Sequence, residues 1–366
     1  MVGLTPGRRR AVAVAGLALL GVGALVVALL VLLDRLDRTP LERALAVAPP
    51  ASRVSFTDWT AVRAAVDADL GDTPDREAVE EMVDAAYDRD LAAVSAVDEA
   101  AGAMQQLFGF GPGTAQWEVY AQSTEGAALA LRPPDGTDYD VLGDNLRSAG
   151  FTAPDGGDDG DEGGVWRGGI DLVADLDPTL TPVVQYVVLL PDEGLVLASD
   201  EADYAERAAA VATGEEEPVG DADGVADLAA RMEGALNTVM WVDDFACTDL
   251  AMARADDEAR AAAEARVAEL GGVSPLSGLA LGLVEGGRLR VVEHFADADQ
   301  AERDLEVRAE LAVGEAYGRG GAFTDDLELV RSRTVDADVV LDFEPVRPDG
   351  FPLSSLYDGP LVLATC

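Results

Sequence analysis

The chain has 366 residues, with 69 Asp and Glu residues against 26 basic residues, and its formal net charge is −43. All of the basic residues are arginine, so the chain can form neither a P-loop nor a Schiff-base site, both of which need lysine. A surface this acidic repels nucleic acid, so we exclude binding to DNA or RNA. Apolar residues make up 49% of the sequence, enough for packed cores.

The first element in the chain is Ala11–Leu33, an uninterrupted apolar run without one charged residue. A helix needs about 20 apolar residues to cross a bilayer, so this run predicts a transmembrane helix. Three arginines precede it at 8–10, whereas the arginines that follow within 34–38 are offset by aspartates. The positive-inside rule therefore predicts a single-pass protein of the cell membrane, with residues 1–10 in the cytoplasm and the C-terminal domain outside.

The alternative for this element is a cleaved signal peptide, whose apolar region is normally shorter, about 7–15 residues. Ala46-Val47-Ala48 resembles a cleavage site, but it lies well beyond the apolar run. No cysteine lies nearby, so attachment of a lipid is not expected. We predict an uncleaved anchor, followed by a juxtamembrane stalk over 34–50.

Two cysteines, Cys247 and Cys366, are the only ones in the chain. Thiols outside the membrane tend to be oxidised, and one of these is the last residue. We therefore predict a disulfide that holds the C-terminus, with two free buried cysteines as the alternative.

The elements that follow the stalk repeat a pattern of strand, turn, strand and helix. A strand at 53–59 and largely helical stretches to residue 107 come first. Hairpins with a following helix are then predicted at 117–148, 184–212 and 279–316, and further strands at 239–244, 327–333, 339–343 and 361–364. In the first of these, the strands are 117–122 and 127–132 and the helix begins at Asp138; in the third, Asp297 and Gln300 are spaced like a capping box. Another helix is predicted over 249–270.

This order predicts an α+β fold of two similar halves, 51–215 and 220–366. Each half is expected to have a mainly antiparallel sheet with helices on one face, because short hairpins favour antiparallel pairing. The strand at 239–244 resembles the strand at 53–59 in its aromatic-then-acid pattern, which supports the comparison of halves. Chance similarity of a common element order is the alternative.

One histidine, His294, is the only residue of its type, and it lies in a predicted strand. It could act as a catalytic base, but no Gly-x-Ser-x-Gly nucleophile motif accompanies it. We interpret it as a packing or surface residue of the strand. One histidine also cannot build a His-rich metal site.

The acidic stretch 155–162 is the strongest candidate for calcium binding, but Gly157 and Trp166 occupy positions where an EF-hand loop needs acids. We interpret it as a flexible acidic loop. Gly109, Gly111 and Gly113 follow no strand, which argues against a nucleotide-binding loop. Four tryptophans could line a groove but are more typical of core positions.

The functional expectation is a membrane-anchored extracytoplasmic protein of the bacterial envelope that binds a ligand or partner without catalysis. We assign no catalytic, binding or metal residue and no cofactor, and the partner beyond the membrane is not identified. The alternatives are a hydrolase that uses Asp or Glu, and a cation-dependent adhesion or scaffold domain. A concave pocket with two inward-facing carboxylates would favour the hydrolase.

Overall fold

One antiparallel sheet of eleven strands forms the centre of the protein. The structure is a computed structural model that describes residues 38–154, 164–250, 252–347 and 349–366. Within them the strands are β1 (Arg53–Thr57), β2 (Trp117–Gln122), β3 (Ala127–Arg132), β4 (Val165–Arg167), β5 (Tyr186–Leu190), β6 (Leu195–Ser199), β7 (Ala235–Val242), β8 (Gly278–Val284), β9 (Arg288–His294), β10 (Leu327–Val335) and β11 (Asp338–Pro345). Their order in the sheet is β10-β11-β9-β8-β7-β1-β2-β3-β6-β5-β4.

Helices connect and cover these strands. In the described residues they are α1 (Pro40–Leu45), α2 (Trp59–Ala65), α3 (Arg76–Tyr87), α4 (Ala101–Phe108), α5 (Tyr139–Ser148), α6 (Gly169–Leu176), α7 (Ala202–Ala212), α8 (Val225–Arg231), α9 (Phe245–Asp249), α10 (Asp257–Glu269), α11 (Ala298–Leu311) and α12 (Pro352–Leu356). Several begin at an aspartate whose carboxylate accepts a backbone N–H of the first turn: Asp75, Asp138, Asp256 and Asp297.

Strands β1 and β7 pair antiparallel at the middle of the sheet, with Ser55 opposite Val239. From β1 the order continues through β2, β3, β6, β5 and β4, and from β7 through β8, β9, β11 and β10. The residues of both predicted halves therefore share one continuous sheet instead of each forming its own. Residues 40–366 group as one compact unit. An internal duplication stays a prediction.

The expectation of helices on one face only is wrong, because apolar layers cover both faces. One layer contains buried residues of α2 to α6 and α9 to α12, and the other contains those of α1, α7 and α8. Alternate strand residues point to the two layers, so β7 and β8 are buried at every position. Strands that are apolar at consecutive positions are typical of a sheet buried on both sides.

Three local expectations differ from the structure. The strand predicted at 361–364 is wrong: Val362–Ala364 form a 3₁₀ turn, in which the Leu363 carbonyl accepts from the Arg308 guanidinium. The helix predicted over 249–270 begins later, since within that stretch only α10 (Asp257–Glu269) is helical beyond Asp249 among the described residues. The expected stalk 34–50 contains α1, whose Leu41 and Leu45 pack into the sheet. Leu41 and Leu45 are four residues apart and lie on the same side of the helix, but two apolar residues are too few to predict a helix from the sequence.

The predicted transmembrane segment Ala11–Leu33 lies outside the described residues. Among those that the structure describes, no helix is both long enough and apolar enough to cross a membrane.

Candidate binding site

The Phe351 cleft is a surface cavity of about 370 Å³ beside the N-terminus of α12. Its lining is Asp326, Pro345, Arg347, Asp349, Gly350, Phe351, Pro352 and Ser355. Phe351 is 39% exposed, and its ring lies 5.6 Å from the ring of Tyr87, which is 57% exposed. The neighbouring Val346 is 53% exposed. Exposed aromatic and aliphatic side chains beside a cavity are typical of a binding surface.

The wall of this cleft is fixed to the rest of the protein by Asp90. This residue adopts a left-handed backbone conformation with φ of 61°, which directs its carboxylate at the first turn of α12. Asp90 Oδ2 accepts the backbone N–H groups of Leu353 at 2.6 Å and Ser354 at 3.1 Å. Asn237 of β7 in turn donates from Nδ2 to the Asp90 carbonyl at 2.9 Å. The first turn of α12, which follows Phe351, is therefore held in position in the unbound protein.

The rim of the cleft is acidic. Asp326 pairs with Arg347 at 2.9 Å, but both side chains are more than half exposed, so the pair contributes little to stability. Asp349 is exposed and makes no hydrogen bond or ion pair with a described residue. The Asp349 carboxylate is therefore available to a partner with positive charge.

Comparison with known proteins gives little help with this site. No family model matches the chain, and no curated protein matches it. Two solved structures, crystal forms I and III of TP0453, resemble it with TM-scores of 0.40 and 0.42 and sequence identities of 7% and 8%. The alignments cover 89% and 88% of this chain and 98% of the TP0453 chains. Similarity at this level supports no inference about function.

A second surface cavity, of about 480 Å³, contains several carboxylates. Asp138 is the N-cap of α5, where it accepts the backbone N–H groups of Asp140 and Val141. Asp135 is 88% exposed and forms an ion pair with Arg132 at 3.4 Å. These carboxylates have structural partners or lie in solvent, so the cavity lacks the desolvated pair that a glycosidase-type hydrolase requires.

Two of the buried carboxyl groups, those of Glu118 and Glu293, have strongly raised pKa values. Burial raises the pKa of Glu118 to about 7, although Trp59 Nε1 donates to its Oε2 at 2.8 Å and Ala96 N donates to its Oε1 at 3.1 Å. Burial likewise raises the pKa of Glu293 to about 7, opposed by Arg308 at 3.8 Å. A raised pKa is common at catalytic sites, but neither group lines one of the two cavities described above.

His294 is placed by the structure at the end of β9, as a packing residue. Its Nδ1 lies 2.7 Å from Asp338 Oδ1, and Arg231 Nε donates to Asp338 Oδ2 at 2.9 Å. The ring also packs against Gly224, where a Cβ atom would lie 2.4 Å from the imidazole Cδ2. Asp338 is fully buried, so His294 and Arg231 serve as the polar partners of a carboxylate that would otherwise be unpaired.

Cys247 and Cys366 are paired, and their Cα atoms are 5.7 Å apart, within the range usual for a disulfide. The structure therefore places the sequence-predicted pair in bonding geometry. That the bond is present in the cell stays a prediction.

The remaining sequence candidates have structural roles or lie outside the described residues. Trp59, Trp117, Trp166 and Trp241 are all buried. Gly109 ends α4 in the left-handed conformation. The acidic loop 155–162 lies wholly within the segment 155–163, outside the described residues. Within the described residues, no group of three or more His, Cys, Asp or Glu side chains is placed to hold a metal ion.

Sequence reasoning did not find the Phe351 cleft. Tyr87 and Phe351 are far apart in the sequence and come into contact only in the folded protein. Neither residue type by itself indicates whether its side chain is exposed. The dense glycine and proline residues of 345–352 mark an irregular segment, and this was the one local signal available.

Proposed function

We propose that this protein is a membrane-anchored extracytoplasmic binding protein, whose partner is a basic polypeptide that inserts an apolar side chain into the Phe351 cleft. The observation that carries this proposal is the exposed contact between Phe351 and Tyr87 beside the cavity. Aromatic residues at rigid, partly exposed positions are the usual anchors of protein interfaces.

The size and rigidity of the cleft support a polypeptide partner. A volume of about 370 Å³ is at the small end of ligand pockets, suitable for one or two apolar side chains. Because Asp90 already holds α12, binding would cost little ordering of the wall, and preorganisation of this kind favours affinity.

The charge of the chain supports a basic partner. A net charge of −43 attracts positively charged polypeptides over long distances and speeds their association. At the cleft, Asp349 is exposed and can pair with an arginine or lysine residue that flanks the inserted side chain.

The test is selection of phage-displayed random heptapeptides on the full chain, purified in detergent. We expect selected peptides to combine an aromatic or aliphatic residue with neighbouring arginine or lysine. Binding should weaken at least about tenfold in Phe351→Ser and in Tyr87→Ser, because each variant removes an apolar contact. Raising the salt concentration should weaken binding further.

Ile170→Ser is the matched control, since Ile170 is also an exposed apolar residue, at 51%, but lies on α6. It should bind the selected peptides as the unmodified chain does. Selection of no basic-apolar peptides, or equal binding by Phe351→Ser, would contradict the proposal.

The proposed location has its own test. Protease added to intact spheroplasts should degrade the domain that follows the anchor, because we place that domain outside the membrane. Full protection would reverse the orientation. A mature N-terminus near residue 49 would instead show a cleaved signal peptide.

A further inference from the structure

Arg53, the first residue of the central strand β1, lies between two aromatic rings. Its guanidinium carbon is 5.4 Å from the ring centroid of Trp241 and 5.4 Å from that of Tyr357. Trp241 comes from the adjacent strand β7, directly opposite Arg53, and Tyr357 follows α12. We name these three residues the Arg53 clamp.

The guanidinium of the clamp lacks a polar partner. Arg53 makes no hydrogen bond or ion pair with any described residue, and its Nε is buried and unsatisfied. Arg63, which is also partly buried, is by contrast satisfied by the carbonyls of Pro112 and Ala115, both at 2.8 Å. Arg53 is thus a partly buried cation without a described polar partner in a chain with 69 acidic residues, and its buried Nε carries an unmet hydrogen-bond donor.

The terminal nitrogens of the Arg53 guanidinium are open to solvent. The guanidinium carbon lies 5.4 Å from each ring centroid, and the hydrogen-bond donors of arginine point outward in the guanidinium plane. Of the Arg53 nitrogens, Nε is buried and has no hydrogen-bond partner. The two terminal nitrogens also have no described partner, but they are not buried, so they retain contact with solvent. A fork of donors with fixed orientation is the arrangement that binds two oxygens of one carboxylate or phosphate.

Two phenols lie in the field of Arg53. Burial raises the pKa of Tyr120 and of Tyr357, so both hydroxyls stay protonated at neutral pH and can donate. The nearby carboxylates Asp358, Asp90 and Asp98 oppose an anion, since all three add to the effect of burial in raising the pKa of Tyr357, and Asp200 does the same for Tyr120. Asp90 is occupied with the backbone N–H groups of α12, which lessens its effect on the clamp.

We propose that the Arg53 clamp is a binding site for an oxyanion, a carboxylate or phosphate group whose two oxygens accept from the guanidinium edge. This site is distinct from the Phe351 cleft, and its ligand is a small anionic group instead of a basic polypeptide. The two aromatic rings on either side restrict the Arg53 side chain, so less of its freedom is lost on binding.

The experiment follows tryptophan fluorescence of the full chain in detergent during titration with inorganic phosphate and, separately, with acetate. Chloride keeps the ionic strength constant, so screening does not change. We expect a saturable change in fluorescence with at least one of the two anions. The Trp241 ring lies 5.4 Å from the guanidinium carbon that is proposed to bind the anion, so binding should alter its emission. Comparison of the two titrations tells whether phosphate or carboxylate is preferred.

Three variants define the site. Arg53→Gln should weaken binding at least about tenfold, and Arg53→Lys should also weaken it, since lysine keeps the charge but not the fork. Arg288→Gln is the matched control, because Arg288 is also half-buried without a described polar partner but lies in the hairpin of β8 and β9. It should bind as the unmodified chain does.

The proposal is overturned if the unmodified chain shows no saturable change with either anion. It is equally overturned if Arg53→Gln or Arg53→Lys retains full affinity. Should Arg53→Gln fail to fold, as judged by circular dichroism, the lysine variant and the titration of the unmodified chain decide. Phe351→Ser should leave anion binding unchanged, so this result is independent of the proposed peptide partner.

Discussion

Arg308 Nη1 donates to the Leu363 carbonyl oxygen at 2.6 Å and to the Thr365 carbonyl oxygen at 2.7 Å, from a side chain with no solvent exposure. Its Nη2 donates to the Ser274 carbonyl at 2.7 Å. One buried arginine on α11 thus fastens the last residues of the chain to the core. The same guanidinium lies 3.8 Å from the buried Glu293 carboxylate. The side chain that holds the C-terminus therefore also interacts with a titratable group.

Arg308→Met should destabilise the protein strongly. The variant leaves three backbone carbonyls without their donor and removes the cation beside Glu293 and Asp304. Breaking a buried charged pair from one side costs about 3–5 kcal/mol, measurable by urea unfolding. Arg303→Met, at an exposed position of the same helix, is the control. Equal stability of the two variants would show that Arg308 does not hold the C-terminus.

Stability should fall as pH rises from about 4.5 to about 7, through the contribution of Glu293. Its pKa is raised from 4.5 to about 7 in the folded protein, so in this interval the folded state keeps a proton that the unfolded state has lost. The free energy of unfolding then decreases until the folded group has also ionised. Glu118 has the same sign, since burial also raises its pKa to about 7.

Glu293→Gln tests this assignment by thermal unfolding at pH 5 and pH 8. The amide mimics the protonated acid, so the variant should lose less stability between the two values than the unmodified chain does. Glu302→Gln, at an exposed position of α11, should leave the dependence unchanged. An identical pH dependence for all three proteins would refute the role of Glu293.

Asp90→Ala should lower the melting temperature and loosen α12. It removes the acceptor of the Leu353 and Ser354 backbone N–H groups, and loss of such a cap costs about 0.5–2 kcal/mol. Alanine also tolerates the left-handed conformation at position 90 less well than aspartate or asparagine. Asp88→Ala, at an exposed neighbouring position, should have little effect. A similar loss in both variants would argue against a specific cap.

Replacing Cys247 and Cys366 by serine should reduce stability by about 2–5 kcal/mol, because a disulfide across a separation of 119 residues restricts the unfolded chain. The unmodified protein should show the same loss after reduction, and the serine variant should not respond to the reductant. Thiol labelling of the denatured, unreduced protein should find neither cysteine free. Labelling of both would mean that the pair is reduced in the purified protein.

Local features of the sequence were enough for much of the secondary structure. The predicted strands Trp117–Gln122 and Ala127–Arg132 have the observed bounds. Alternation of side chains and a short turn define such a hairpin within a few residues. Asp138 and Asp297 were similarly recognisable as helix starts, because capping depends on neighbouring residues alone.

The sequence by itself determined the extreme acidity, the α+β class, the antiparallel hairpins and the position of most strands. Only the tertiary structure decided that β1 and β7 join all strands in one sheet, that helices cover both faces, and that 361–364 is not a strand. It also brought Tyr87 to Phe351, and Arg53 to Tyr357. These contacts join residues far apart in the chain, and the periodicity of a segment does not encode which distant segment it will pack against.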